Sequence, residues 1–159
     1  MEKEVEKVAV YTFPVEPAEG NAQQELPLTL LVSHLLEAAT LHAEAWGVGY
    51  STLIKDGHAW VLARLAVGME QYPAIRDTLT VETWIEGYNK HFSARNFCFR
   101  DGKGAVCGYA RTIWSVINMK TRQSVDLTAL ERLDRHVADR ECPIERPGKL
   151  KEVTDTDPV

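Results

Sequence analysis

Five histidines, three cysteines and the carboxylates are the groups here that can ligate a metal, attack an electrophile or relay a proton. Their spacing narrows the chemistry. Neither His34 nor His42 has a metal-ligating residue four positions on, and Cys98, Cys107 and Cys142 show no C-x-x-C pair, so no zinc or iron site and no bound cofactor is expected. An odd cysteine count without that spacing also argues against a secreted disulfide framework. Glu37 is the carboxylate of most interest. It falls beside His34 and Leu41 on one side of a helical segment, where it is either a general base at an interface or an ordinary solvated helix residue. His42 falls on the apolar stripe of that segment, the usual place of a hydrogen-bonded core histidine.

The elements that must position these groups follow from periodicity. Val5 to Val15 reads as a first strand, closed by Pro14 and Pro17, and a polar loop follows at Asn21 to Glu25. Pro27 then precedes Leu28, Leu31, Val32, Leu35, Leu36, Ala39, Ala43 and Trp46, the recurrence of one long amphipathic helix stopped by Gly47 and Gly49. A second set, Leu30, His34, Glu37, Leu41 and Glu44, projects from the other side and predicts an apolar partner there: a subunit, a second domain or an acyl chain.

From His58 the period drops to two, giving strands over 58–69 and 79–86, interrupted at Tyr72-Pro73. Strands over 92–100 and 105–119 flank Asp101-Gly102-Lys103-Gly104. Gly102-Lys103 as a two-residue type II′ loop would set Cys98 opposite Cys107. A last short strand, Ser124 to Leu127, leads into a charged, proline-containing segment. The expected division is therefore a domain over 1–127 and a linker or tail over 128–159, with a short helix around Leu130 to Val137. One strand, one long helix and four or five antiparallel strands make an α+β hotdog fold, in which a curled sheet wraps around the helix.

Composition sets outer limits. At 159 residues, 45% hydrophobic and 26% charged, the chain has the balance of one soluble globular domain. A net charge of −5 with no basic run argues against nucleic acid, although Arg95, Arg100, Lys103 and Arg111 could form a local basic patch. The charged start, Met1 to Val8, has no apolar core, and no stretch is long enough to span a bilayer, so a cytoplasmic location is expected.

Several strings, in order and spacing, resemble the acyl-ACP thioesterase family. They are Leu35-Leu36-Glu37-Ala38-Ala39-Thr40-Leu41-His42-Ala43 running to Trp46-Gly47-Val48-Gly49, then Trp60-Val61-Leu62-Ala63-Arg64 and Tyr72-Pro73. Asp77 and Thr83-Trp84, Arg95-Asn96-Phe97, Gly104, Arg111-Thr112-Ile113-Trp114 and Lys120-Thr121-Arg122 continue the match over roughly 10–127. The resemblance implies hydrolysis of fatty acyl thioesters on acyl carrier protein, releasing free fatty acid in fatty acid biosynthesis. It also implies two tandem hotdog domains, of which these strings belong to the first. The family's catalytic Asn-x-His-x-x-Asn loop belongs to the second, and the full string is absent here: His91 has Asn89 two before it but Ala94 three after, and the other four histidines have neither asparagine.

The resemblance therefore makes this chain the substrate-binding half, with acyl carrier protein, its acyl-phosphopantetheine arm and a second hotdog domain or homodimer partner as expected partners. His34, Leu41, Trp60, Arg64, Trp84, Arg95 and Trp114 are the candidate substrate-binding residues, with Arg64, sharing a face with Trp60 and Leu62, and Arg95 and Arg111 facing the carrier. The long helix's start could donate backbone N–H groups to an oxyanion, or be an ordinary helix end. Two other readings stay open: a non-catalytic acyl-binding or dimerisation module, and a homodimeric thioesterase with Glu37 as its catalytic residue.

Overall fold

A computed structural model describes residues 6–130 and 133–145. Strand β1 (Val8–Pro14) leads to helix α1 (Leu28–Ala45), the short helix α2 (Tyr50–Leu53), and strands β2 (His58–Met69), β3 (Thr78–Tyr88), β4 (Ser93–Arg100) and β5 (Val106–Asn118). All pairings are antiparallel in one five-stranded sheet of order β1-β3-β4-β5-β2, which leaves β1 and β2 as edges. This is the expected hotdog arrangement. Val5, at the start of the expected first strand, and 146–159 of the expected tail lie outside the described residues.

Helix α1 starts where its sequence says it should. Pro27 sits at its N-cap with φ −69° and contributes no N–H that would need a partner. Its end is a Schellman motif: Gly47 takes φ +76°, Gly47 N–H bonds Glu44 O at 3.1 Å, and Val48 N–H reaches Ala43 O at 3.1 Å. The face bearing Leu31, Leu35, Ala38 and Ala39 is buried on the sheet against Leu79 and Val81 of β3, Phe97 and Phe99 of β4 and Ala110 of β5. Each of the large side chains contributes ~1.5–3 kcal/mol by leaving water.

Three irregularities bend the sheet around the helix and change which face a residue meets. In β2 the register shifts at Ala63: Leu62 pairs with Trp114, but Arg64 pairs with Ile113. Directly opposed residues share a face, so Arg64 lies on the side of the sheet away from Trp60 and Leu62, contrary to the sequence-based expectation. A shift at Glu86 does the same in β3.

The β4–β5 connection is longer than the two-residue loop expected. Asp101 N–H bonds Ala105 O at 3.0 Å, Gly104 N–H bonds Asp101 O at 3.1 Å, and Gly104 adopts φ +83°. Asp101 Oδ1 accepts from both Lys103 and Ala105 N–H, which stabilises the wider turn. Cys98 consequently pairs with Tyr109 rather than Cys107, which falls in the register shift, and all three cysteines are free.

The expected strand at Ser124 to Leu127 is reduced to one bridge, Ile117 with Ser124, followed by a 3-10 turn at Leu127–Ala129. The cause is local: Asp126 accepts from Thr128 N–H and turns the backbone away from the sheet. Beyond a second 3-10 turn at Leu133–His136, residues 137–144 cross the outer face of the sheet as a strap. Ala138 N–H bonds Ile85 O at 2.9 Å, Trp84 Nε1–H bonds Arg140 O at 3.0 Å, and Arg111 Nη1–H bonds Ile144 O at 2.6 Å.

Candidate functional site

A cavity of about 200 Å³ opens between the C-terminal half of α1 and the inner face of the sheet. Alanines make the space. Ala39 and Ala43, four apart on α1, present only methyl groups, and Ala59 of β2 adds a third, while Trp60, Trp114 and Ile85 form broad apolar walls. Tyr50 of α2, exposed at 60%, stands at the rim. Ser93 and Arg95 of β4 and Thr40 supply the polar side chains of the lining besides Tyr50.

Arg95 is the exceptional member, because it is only 6% exposed. Its position follows from strand parity: it alternates with Phe97 and Phe99, so it must face the helix. Its Nη1 donates to His42 Nδ1 at 2.9 Å and to Thr83 Oγ1 at 3.0 Å, and its Cζ lies 5.5 Å from the Trp46 ring. Thr83 in turn donates to Asn96 O, Thr112 donates to Arg95 O, and Trp114 Nε1–H donates to Thr112 Oγ1 at 2.7 Å. The polar wall is thus a hydrogen-bonded chain across β3, β4 and β5. Desolvation lowers the guanidinium's pKa to about 10, which leaves it charged at neutral pH.

That contact also fixes the state of His42. A guanidinium can only donate, so Nδ1 is the acceptor and carries no proton; Nε2–H then donates to Glu6 O at 2.9 Å. Burial, and next the nearby Arg95 charge, push the His42 pKa down to about 4. His42 is therefore neutral, packed 3.9 Å from Trp46 between ring centroids.

Of the residues singled out in the sequence, Trp60, Arg95 and Trp114 meet at the cavity and the others do not. His34 lies further toward the helix start, where Nε2–H donates to Glu19 Oε2 at 2.9 Å and Nδ1 is 3.9 Å from Glu37. Glu37 is an open surface carboxylate at 58% side-chain exposure, and Leu41 is exposed at 43%. Arg64 sits on the outer side of edge strand β2, with Nη1 buried and lacking a partner among the described residues.

Trp84 is on the outer face as well, fully buried under the strap, with the Arg140 Cζ 4.0 Å from its ring. Strand parity in β4 and β5 also splits the expected basic patch. Arg95 faces inward, whereas Arg100 and Arg111 lie on the outer face and pair with Glu82 and Glu86. Among the described residues, no group of three or more His, Cys, Asp and Glu side chains is placed to hold a metal ion.

The loop at Asn21 to Glu25 spends its polar groups on itself: Asn21 Oδ1 accepts from Gln23 and Glu25 N–H. The start of α1 is roughly 18 Å from the cavity, counted as twelve residues from Leu28 to Thr40 at the helical rise. Space for an apolar ligand and the helix-start N–H donors are therefore at opposite ends of α1. Sequence reasoning missed Ser93, Thr40 and the α1–α2 corner Val48 to Tyr50, although the paired alanines at Ala39 and Ala43 marked where a helix leaves room.

Comparison with known proteins agrees with this architecture. The model of the family described as "Acyl-ACP thioesterase N-terminal domain" matches residues 6–130. Among curated relatives, a dodecanoyl-[acyl-carrier-protein] hydrolase of Cinnamomum camphora is 28% identical over 90% of this chain, which spans only 41% of that relative. Among solved structures, an acyl-ACP thioesterase from Bacteroides thetaiotaomicron superposes with a TM-score of 0.85 at 34% identity, over 93% of this chain and 60% of that one. The 12:0-ACP thioesterase of Umbellularia californica shares the fold, with a TM-score of 0.80 at 24% identity, over 94% of this chain and 58% of that one. The chain therefore belongs to the acyl-ACP thioesterase family, through its N-terminal domain.

Proposed function

We propose that this domain is the acyl-binding half of a fatty acyl-ACP thioesterase, and that its cavity receives the acyl chain while a second hotdog domain hydrolyses the thioester to free fatty acid and acyl carrier protein. The observation that carries this reading is the placement of the cavity. It is apolar, bounded by Trp60 and Trp114, and lies against Ala39 and Ala43 rather than near the helix-start donors that would stabilise an oxyanion. A binding half needs the first arrangement and not the second.

The same reading assigns the free edge at β2 to the partner domain. This twelve-residue edge carries Val61 and Leu65 exposed at 37% and 38% and contains neither lysine nor proline, the usual protections of an unpaired edge. The three relatives named above, of which this chain spans 41%, 60% and 58%, have length enough for such a domain. The three free, buried cysteines suit a reducing compartment such as the cytoplasm, where the reaction belongs to fatty acid biosynthesis.

Titration with dodecanoyl-ACP, followed by the fluorescence of Trp60 and Trp114, tests the proposal. A saturable change with dodecanoyl-ACP and none with holo-ACP is expected. Equal responses to both would show that the acyl chain is not what the cavity binds.

A further inference from the structure

Arg95 carries a charge that nothing described around it neutralises. Arg100, Arg111 and Arg140 each hold a glutamate. Arg95, more buried than these, has no carboxylate within ion-pair distance among the described residues. Its two hydrogen bonds both leave from Nη1 and both end on neutral groups, His42 Nδ1 and Thr83 Oγ1. A guanidinium has five N–H donors in a fork matched to a carboxylate, so Nε and Nη2 remain for another partner. Burying an unpaired cation is costly, and an anion brought alongside it in a low dielectric offsets that cost.

The side chain is part of the cavity wall, next to Ser93 and across from apolar Ala39 and Ala43. A ligand complementary to this lining is an apolar chain ending in an anion. We propose that the cavity binds free fatty acid carboxylate-first, with Arg95 holding the carboxylate. The inference rests on the reading of the cavity as an acyl site and adds a regulatory property to it. A thioester is neutral, whereas the acid released by hydrolysis is an anion. The product therefore has an anchor that the substrate lacks, and it competes with acyl-ACP for the cavity.

The test compares dodecanoate with 1-dodecanol at pH 8, both below their aggregation limits, by calorimetry on the whole chain. Wild type is expected to bind the acid roughly tenfold or more tightly than the alcohol, as a charge-assisted hydrogen bond provides. Arg95→Met should lose that preference while still binding dodecanol, and Arg95→Lys should keep part of it. Equal wild-type affinity for acid and alcohol overturns the proposal by itself, even if Arg95→Met does not fold. A folded Arg95→Met that keeps the preference overturns it too. If neither ligand binds, the acyl-site reading fails as well.

Discussion

Arg95 Nη1 and His42 Nδ1 meet at 2.9 Å across the interface between β4 and α1, a contact that requires an unprotonated Nδ1. Burial, and after it the charge of the guanidinium, keep the imidazole neutral. The folded protein holds His42 to a pKa of about 4, against an ordinary value of 6.5. Well above pH 6.5 neither the folded nor the unfolded chain protonates it, and His42 adds no pH dependence. Between pH 6.5 and 4 the unfolded chain takes up a proton that the folded one refuses, so stability falls as pH falls. The full loss is at most ~3 kcal/mol, reached near pH 4. Urea midpoints measured from pH 7.5 to 4.5 should decline in wild type and decline less in His42→Phe; parallel declines would contradict the assignment.

The strap predicts a stability effect separate from binding. Trp84 is fully buried beneath Arg140, to which it donates a hydrogen bond and offers its ring face. Trp84→Ala should cost about 3–5 kcal/mol, as truncation of a buried aromatic does, and Arg140→Ala about 1 kcal/mol from the exchanged cation–π contact and the Glu82 pair. Folded Arg140→Ala should bind dodecanoyl-ACP as wild type does, because the strap and the cavity lie on opposite faces of the sheet. Weakened binding by that variant would show that the two faces are coupled.

Filling the cavity separates binding from folding in the other direction. Ala43→Phe places a ring where the acyl chain is assigned and should weaken dodecanoyl-ACP binding roughly tenfold or more, with a thermal midpoint near that of wild type. Unchanged affinity in a folded variant would move the acyl site elsewhere.

Glu37 is expected to be dispensable. It is exposed at 58%, lies on the far side of His34 from Glu19, and faces no cavity lining. Glu37→Gln should alter neither acyl-ACP binding nor any rate of fatty acid release. A tenfold loss of release would revive a homodimeric enzyme acting through that carboxylate.

Much of the architecture was legible because it rests on two periods. The 3.6-residue stripe from Leu28 to Trp46 and the alternation in β2 and β3 identify one helix and a sheet that must cover it. Register was not legible. A single extra residue at Ala63 turns Arg64 to the other face, and no local residue type announces it. The strap was missed for a similar reason: residues 137–144 have no periodicity, and their order comes from long-range partners such as Trp84 and Arg111. Arg95 was legible in part. Its parity with Phe97 and Phe99 already put it indoors, whereas grouping it with Arg100 and Arg111 as a surface patch ignored that parity.

Holding an acyl chain and cleaving it are assigned to different domains, and one measurement addresses that division directly: release of free fatty acid from dodecanoyl-ACP by the purified 159-residue chain. The division predicts release no faster than in buffer with carrier alone, at concentrations where the cavity is occupied. Turnover at ~1 s⁻¹ or more, within the range of ordinary enzymes, would contradict it.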